Sequence, residues 1–407
     1  MSIWCDGRVG VDGYRRSGEA AEELAAGALD WLIGSARVEP DHTLYSGGAG
    51  VVLALLEGQH HFQDDRYGDA ALRGAAGLAA AVDHEENCSL YFGLAGMAVA
   101  LRAAHRLLGD EAAGRAADRA MDLVRTRFDG RRWGEMFELL FGNAGIALGA
   151  LHVGDLELAV HAVEPYLDEA DPTPGGVNWA VRPGPARSHH IAHGTLGIVY
   201  ALAAVGAAAG RDDLMDLALA GAADVVARDE AGPDGFLVPH SDPPHRPELI
   251  ERYSYGWCNG PAGDAQVFRL LGALTGDAAW AALVDRCWHT VTHSGLPRRV
   301  RPGFWDNNGR CCGTAGVLAL ACDRHEAGAH FAQVLVGDLG ERATVDADGV
   351  RWSNYEHRVA PGTLAPEVGW AMGNAGIVRE LLRFARTTTG ADPAYAVQWP
   401  DQPAAAR

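Results

Sequence analysis

The feature that most constrains this chain is a pair of glycines, three residues apart, that recurs seven times. Successive pairs are separated by 46 to 66 residues, and a period of this size is typical of a repeat array or a closed ring. The pairs are Gly47/Gly50, Gly93/Gly96, Gly142/Gly145, Gly194/Gly197, Gly260/Gly263, Gly313/Gly316 and Gly373/Gly376. The sequence therefore predicts seven copies of one supersecondary unit.

Each glycine pair separates two kinds of helical sequence. The residues after a pair are mainly apolar, as in LGIVYALAAVGAAAG from Leu196, which predicts a helix that is buried on all sides. The residues before a pair are amphipathic, as in EAAGRAADRAMDLVRTRF from Glu111, which predicts a helix with one face in water. We expect each repeat to consist of an exposed helix, a turn and a buried helix.

Seven such units predict an all-α fold, an α/α toroid with seven inner helices inside seven outer ones. We assign residues 1–390 to this single domain and expect residues 391–407 to form a flexible C-terminal tail. An open solenoid is the alternative, but it needs polar capping repeats, and the first and last repeats are as apolar as the others. In a toroid, the first glycine of each pair allows a sharp turn and the second a close backbone approach. Residues just before the pairs would then face one mouth of the ring.

The charge of the chain excludes several classes of function. Its formal net charge is −19, whereas a nucleic-acid-binding protein needs a basic face. Every one of its 34 basic residues is arginine, which excludes chemistry that requires a lysine, such as a Walker-type phosphate loop or a Schiff base. We find neither a signal peptide nor an apolar stretch long enough to span a membrane, so we expect a cytoplasmic protein with reduced thiols rather than disulfides.

Reactive side chains precede the glycine pairs of the third to sixth repeats. They are Glu138, His193, Cys258, Cys311 and Cys312. Three cysteines at matched repeat positions favour Zn²⁺, which prefers four tetrahedral Cys or His ligands, and three protein ligands leave the fourth position open, as in catalytic sites. The alternative is that these cysteines are small buried packing residues, which is how we interpret Cys287 and Cys322.

The motifs GWCNGPAG from Gly256, RCCGTAG from Arg310 and AHGTLG from Ala192 resemble the LanC-type lanthionine synthetase (lanthipeptide cyclase) family. The resemblance covers essentially the whole chain. It implies one zinc ion per chain, held by Cys258, Cys311 and Cys312, and no other cofactor. Most stand-alone members have histidine at the position of Cys312, so this chain resembles a three-cysteine variant.

The resemblance also implies an activity in lanthipeptide antibiotic biosynthesis. A zinc-activated cysteine thiolate of a ribosomal precursor peptide adds to a dehydroalanine or dehydrobutyrine of the same peptide and forms a lanthionine or methyllanthionine ring. His193 matches the catalytic histidine of the family and would transfer a proton, although a helix-capping or core role is its alternative. Glu138 stands where the family has an acidic residue, usually aspartate, and would orient a polar group or relay a proton. Ser254 stands where some members have a basic residue, and the nearby Arg252 is out of register.

Two further features of the sequence each allow more than one interpretation. Asp306 is either a group that holds a metal ligand or the cap of a turn. The long proline-rich loop over residues 228–256 is a lid, a peptide-binding edge or a passive insertion.

The expected partner is a dehydrated precursor peptide. Since the repeats fill the chain, we expect a separate dehydratase or kinase to supply it.

Three rival functions remain. A protein prenyltransferase subunit needs mixed ligands and a basic diphosphate site, and a toroid glycosidase needs paired carboxylates at the mouth, where only Glu138 is evident. The third is a non-catalytic LanC-like scaffold that binds glutathione or another thiol.

Overall fold

The helices of the chain form two concentric rings in the computed structural model, which describes residues 11–35, 41–301 and 305–402. The inner ring contains α2 (Gly48–Phe62), α4 (Leu94–Leu108), α6 (Asn143–Val153), α9 (Thr195–Ala209), α11 (Pro261–Thr275), α13 (Thr314–Asp323) and α15 (Asn374–Thr389). The outer ring contains α1 (Val11–Ser35), α3 (Asp65–Ala81), α5 (Glu111–Thr126), α7 (Leu156–Val163), α10 (Asp212–Val226), α12 (Ala278–His293) and α14 (Ala329–Arg342). A short helix, α8 (Pro165–Asp168), follows α7.

The inner ring is closed. Each inner helix contacts the inner helices on either side of it, and the last one, α15, contacts the first one, α2. The predicted α/α toroid is therefore confirmed, and the open solenoid is wrong. Most residues of α9 and of α11 are buried, as expected for helices that are surrounded by other helices.

The helices pair in a different order from the one predicted. Each inner helix packs most extensively against the outer helix that follows it, and α1, which has no inner helix before it, packs against α15. A Gly-Asp turn explains this order. Gly109 adopts the left-handed conformation, with φ of 71°, at the end of α4, and the side chain of Asp110 then caps α5. Because this turn is tight, consecutive inner and outer helices form the hairpin.

Both glycines of each pair allow a close approach. A Cβ atom on Gly263 would lie 1.8 Å from the carbonyl oxygen of Trp257, and one on Gly313 would lie 2.6 Å from the nitrogen of Gly309. The backbone of Gly313 is extended, with φ of −138°, a conformation open to any residue. The first glycine is therefore required for space, and the sharp turn predicted for it needs no backbone conformation that is special to glycine.

The segment after α15 packs inside the ring. Val397, Trp399 and Asp401 are buried, and the hydroxyl of Tyr91 donates a hydrogen bond of 2.9 Å to Asp401. The expectation of a flexible tail from residue 391 is therefore wrong for residues 397–402, because Asp401 bonds to Tyr91 just before α4 and the ring of Trp399 lies under the guanidinium of Arg379 in α15. Residues 403–407 lie outside the described residues.

Within the described residues, three short two-stranded sheets accompany the helical rings. They are formed by β1 (Asp171–Thr173) with β2 (Gly176–Asn178), β3 (Arg187–Ser188) with β4 (Ser241–Asp242), and β5 (Thr344–Asp346) with β6 (Gly349–Arg351). The β3–β4 pair joins the connecting segments of two successive repeats. None of the helices in the described ranges combines the length and apolar character that crossing a membrane requires.

Candidate metal centre and cleft

Backbone hydrogen bonds link the loops that precede the inner helices. The nitrogen of Cys258 donates to the carbonyl oxygen of Cys311 over 3.1 Å, and the nitrogen of Cys311 donates to that of Ala371 over 2.8 Å. The nitrogen of Ala371 in turn donates to the carbonyl oxygen of Tyr45 over 2.9 Å. These bonds hold equivalent residues of different repeats side by side, so cysteines that are distant in sequence become neighbours.

The three predicted cysteines converge at this mouth. The Sγ atom of Cys312 lies 3.2 Å from that of Cys258 and 3.5 Å from that of Cys311, and all three atoms lie within 4.8 Å of one another. Cys258 and Cys311 are buried, whereas Cys312 is half-buried. Cys287 and Cys322 lie in α12 and α13, apart from this group and buried.

The three thiols form a group that could hold a metal ion. Zinc–sulfur bonds are about 2.3 Å long, so two sulfurs on a tetrahedral zinc are roughly 3.8 Å apart. The separations within the group are of this size, and thiolate is a preferred zinc ligand. In the part of the chain that the structure describes, no fourth protein ligand joins the group. The donor set thus fits zinc with one position left open.

The thiols influence one another's acidity. Hydrogen bonds with Cys258 and Cys312 raise the pKa of Cys311 well above its ordinary value. Hydrogen bonds from Cys258 and Cys311 lower the pKa of Cys312 well below its ordinary value, and the charge of His193 lowers it further. Cys312, which lines the cleft, is therefore the thiol of the group whose thiolate form the neighbouring side chains favour.

His193 and Glu138 lie next to each other at the same mouth. Nδ1 of His193 is 3.4 Å from a carboxylate oxygen of Glu138, and the imidazole stacks against Phe141 with ring centroids 6.1 Å apart. Glu138 is fully buried, and its two oxygens accept hydrogen bonds from the backbone nitrogens of Leu140 and Phe141, at 2.7 and 3.0 Å. The carboxylate is thus held rigidly behind a histidine whose side chain is 28% exposed.

A cleft of about 690 Å³ opens above the cysteines and His193. One wall is formed by residues 249–255, the end of the long loop between α10 and α11, and another by residues 355–358. The two walls touch, since Nη1 of Arg358 donates to the carbonyl oxygen of Leu249 over 2.7 Å. The long loop therefore shapes the cleft rather than lying apart from it.

The acidic side chains that line the cleft are paired with arginines. The pairs are Glu251 with Arg301, Asp306 with Arg299 and Glu356 with Arg358. Asp306 thus joins an ion pair, with its Oδ1 atom 3.1 Å from Nε of Arg299, which neither of the two interpretations of its role predicted.

Three buried histidines lie close to the cleft. Nδ1 of His190 lies 2.8 Å from Oδ2 of Asp264, and both side chains are buried. Burial lowers the pKa of His189 and that of His240 to about 3 in each case. These two rings are therefore neutral at pH 7, and His240 forms part of the cleft surface.

Arg182 is a cleft residue that the sequence analysis did not identify. It lies between β2 and β3 and lines the cleft together with His193 and Cys312. The segment around it has no glycine pair and no helical period, so the sequence carried no signal that would place it beside the cysteines.

The comparisons with known proteins agree with this architecture. The model of the lanthionine synthetase C-like protein family matches residues 39–237 and 245–336. A solved structure titled nisin cyclase superposes with a TM-score of 0.65 and 16% sequence identity, over 91% of this chain and 96% of that chain. An unsaturated glucuronyl hydrolase specific for heparin has a TM-score of 0.52 and 11% identity, over 92% of this chain and 99% of its own. At such identities the likenesses show the fold alone. No curated protein matches the sequence.

Proposed function

Because the chain belongs to the lanthionine synthetase C-like family, we propose that it is a zinc-dependent cyclase that closes thioether rings in peptides. The observation that carries the proposal is that three thiols lie together with zinc-ligand spacing, and that two of them, Cys258 and Cys312, line the same cleft as His193. The substrate would be a dehydrated peptide that contains a cysteine and a dehydroalanine or dehydrobutyrine. Cys258, Cys311 and Cys312 would hold one zinc ion, which when bound lowers the pKa of a coordinating substrate thiol.

The other residues of the cleft have roles that follow from their positions. His193 is partly exposed and close to the cysteines, so it would accept the thiol proton or deliver a proton to the α-carbon of the dehydro residue. Glu138 would orient the imidazole of His193 from behind. Since its oxygens are held by two backbone nitrogens, it would act as a positioning residue. The peptide would lie along the wall made by residues 249–255 and residues 355–358.

The arrangement gives less support to the rival enzymes. A glycosidase needs a pair of free carboxyl groups across the substrate, and the carboxylates that line the described cleft form ion pairs with arginine. A prenyltransferase subunit would have carboxylate and imidazole among its zinc ligands, whereas the group here is all thiol. The non-catalytic thiol-binding scaffold remains the alternative that the experiment must separate.

The first experiment measures zinc per chain by elemental analysis in freshly reduced protein. We expect about one zinc ion in the wild type, a loss of zinc in Cys311→Ala, and full retention in Cys322→Ala. Cys322 is a matched control because it is also buried but lies in α13, away from the thiol group. Absence of zinc from the reduced wild type would overturn the proposal.

The second experiment measures ring closure in a synthetic peptide that carries one dehydroalanine and one cysteine. Addition of the thiol does not change the mass, so free thiols are trapped with N-ethylmaleimide before mass spectrometry. We expect the zinc-loaded wild type to close the ring faster than the uncatalysed reaction, and His193→Asn to be about 10² to 10⁴-fold slower. Zinc and peptide binding without any acceleration would instead identify the thiol-binding scaffold.

A further inference from the structure

Arg182 is set apart from the other arginines of the cleft by its lack of a counter-ion. The other three each pair with a carboxylate: Arg252 with Glu230, Arg301 with Glu251 and Arg358 with Glu356. Arg182 forms no ion pair with any described residue. Its Nη2 atom donates to the hydroxyl of Ser188 over 3.2 Å, and its Nε–H is buried without a partner.

The backbone holds Arg182 firmly beside the proposed catalytic residues. The nitrogen of Phe137, which directly precedes Glu138, donates a hydrogen bond of 2.8 Å to the carbonyl oxygen of Val181. On the other side, β3 pairs with β4 and fixes the end of the loop that carries Arg182. The guanidinium therefore lies on a wall that is tied to two repeats, and it faces the same cleft as His193 and Cys312.

The charge of Arg182 is only partly balanced by its surroundings. Burial lowers its pKa, while the negative charge of Glu138 acts in the opposite direction. The carboxylate oxygens of Glu138 accept hydrogen bonds from backbone nitrogens and are not within ion-pair distance of the guanidinium. A guanidinium remains protonated at neutral pH, so the cleft contains a half-buried cation with N–H groups available to an oxygen anion.

An uncompensated, partly buried charge is costly, and such a charge is typical of functional sites. This chain has 53 acidic residues against 34 basic ones, and every neighbouring cleft arginine has an acidic partner. The missing partner of Arg182 is therefore a specific feature of this position. It points to a negative charge that is present only during the reaction.

We propose that Arg182 is a catalytic residue that stabilises the negative charge on the carbonyl oxygen of the dehydro residue during ring closure. The inference rests on the proposed function. In this step the thiolate forms a carbon–sulfur bond at the β-carbon, the Cα–Cβ π pair becomes a π bond between the α-carbon and the carbonyl carbon, and the carbonyl π pair moves onto the oxygen to give an enolate. The enolate then takes up a proton at the α-carbon. The proton that left the thiol balances this uptake, so no oxidant or further reactant is needed.

Donors that act only on developing charge raise kcat and leave ground-state binding almost unchanged. This distinguishes the proposal from a simple peptide-anchoring role, in which Arg182 would bind a substrate carboxylate and its loss would raise KM. A second readout that does not depend on turnover is the affinity for an unreactive peptide with alanine in place of dehydroalanine. We expect that affinity to be independent of Arg182.

The experiment uses the zinc-loaded full-length protein and the peptide described for ring closure. It compares Arg182→Gln and Arg182→Lys with Arg301→Gln, a matched control because Arg301 lines the same cleft but pairs with Glu251 and lies outside the proposed peptide wall. We expect Arg182→Gln to lower kcat by about 10²-fold or more with KM and peptide affinity within about twofold. Arg182→Lys should recover part of the loss, since it keeps the charge but not the planar fork. Arg301→Gln should remain close to the wild type.

A kcat for Arg182→Gln equal to that of the wild type overturns the inference, and so does a rise in KM with an unchanged kcat. If Arg182→Gln loses its zinc, Arg182→Lys becomes the deciding variant, and it must then lower kcat at least tenfold. A wild type that binds zinc but closes no ring refutes the proposed function itself, and the role of Arg182 with it. A failure of the proposed function is thus distinguishable from a failure of this inference.

Discussion

Gly263→Ala tests how the toroid fixes the position of the metal-ligand loop. A Cβ atom at this position would lie 1.8 Å from the carbonyl oxygen of Trp257 and 2.6 Å from Cγ2 of Ile191. Contacts of Cβ atoms below 3.0 Å are essentially never observed, so the first distance must grow by at least the difference between 3.0 and 1.8, which is 1.2 Å. Since one partner is a backbone atom, no change of rotamer can relieve the clash.

The required shift acts directly on the proposed zinc site, because Trp257 precedes Cys258. Moving the carbonyl of Trp257 would weaken the bond between the nitrogen of Cys258 and the oxygen of Cys311. Overpacking costs about 1–3 kcal/mol, and a lost hydrogen bond costs about 1 kcal/mol more. We therefore expect Gly263→Ala to lower the free energy of unfolding by about 2–4 kcal/mol and to reduce the zinc content per chain.

Gly77→Ala is the matched control for this substitution. Gly77 lies in the outer helix α3, and a Cβ atom there would meet nothing within 4 Å. The same chemical change should therefore stabilise the protein by about 0.5–1 kcal/mol through helix propensity. Denaturant unfolding and elemental analysis measure both effects. If Gly263→Ala unfolds at the same midpoint as the wild type and keeps its zinc, the close approach of Gly263 to the carbonyl oxygen of Trp257 is not a structural requirement.

Two further predictions concern the interior of the ring and its acid stability. Trp399→Ala should destabilise the protein by about 3–5 kcal/mol because Trp399 is buried in the ring; a loss below about 1 kcal/mol in denaturant unfolding would contradict the packing of the C-terminal segment. Burial lowers the pKa of His189 and His240 to about 3, so between about pH 6.5 and pH 3 the unfolded chain binds more protons than the folded one. Stability should therefore fall by about 2 kcal/mol for each histidine between pH 6.5 and pH 5, and an unchanged pH slope in a His189→Asn/His240→Asn variant would refute this assignment.

The sequence predicted the ring and the thiol group because both follow from the repeat. In a closed ring of repeats, equivalent positions lie at the same mouth. The sequence could therefore place the cysteines before Gly260 and Gly313 together without information on the conformation of any loop. The order of pairing was wrong because it depends on the short turns. The Gly-Asp dipeptide at Gly109 and Asp110, which joins an inner helix to the outer helix after it, was the signal that would have predicted it.

The parts that could not be predicted depend on contacts outside the repeat. Arg182 is placed beside the cleft by the β3–β4 pair and by a single backbone hydrogen bond between Phe137 and Val181. Neither contact leaves a periodic pattern in the sequence. The packing of the C-terminal segment had a signal that was not used. The inner helix α15 carries charged residues, among them Arg379 and Glu380, that are buried. Buried charges require partners, and Tyr395 supplies one by donating to Glu380 over 2.7 Å.

The pairing of α1 with α15 has a consequence for how the protein is made. During translation α1 leaves the ribosome long before α15, the inner helix that covers it. The nascent chain must therefore keep an amphipathic helix without its partner until α15 has been synthesised. The acceptor of the backbone bond from Cys311 is Ala371, which also emerges late. A product of translation that ends before Ala371 would thus lack the support of the proposed metal site, and metal capture would depend on synthesis of the loop that carries Ala371.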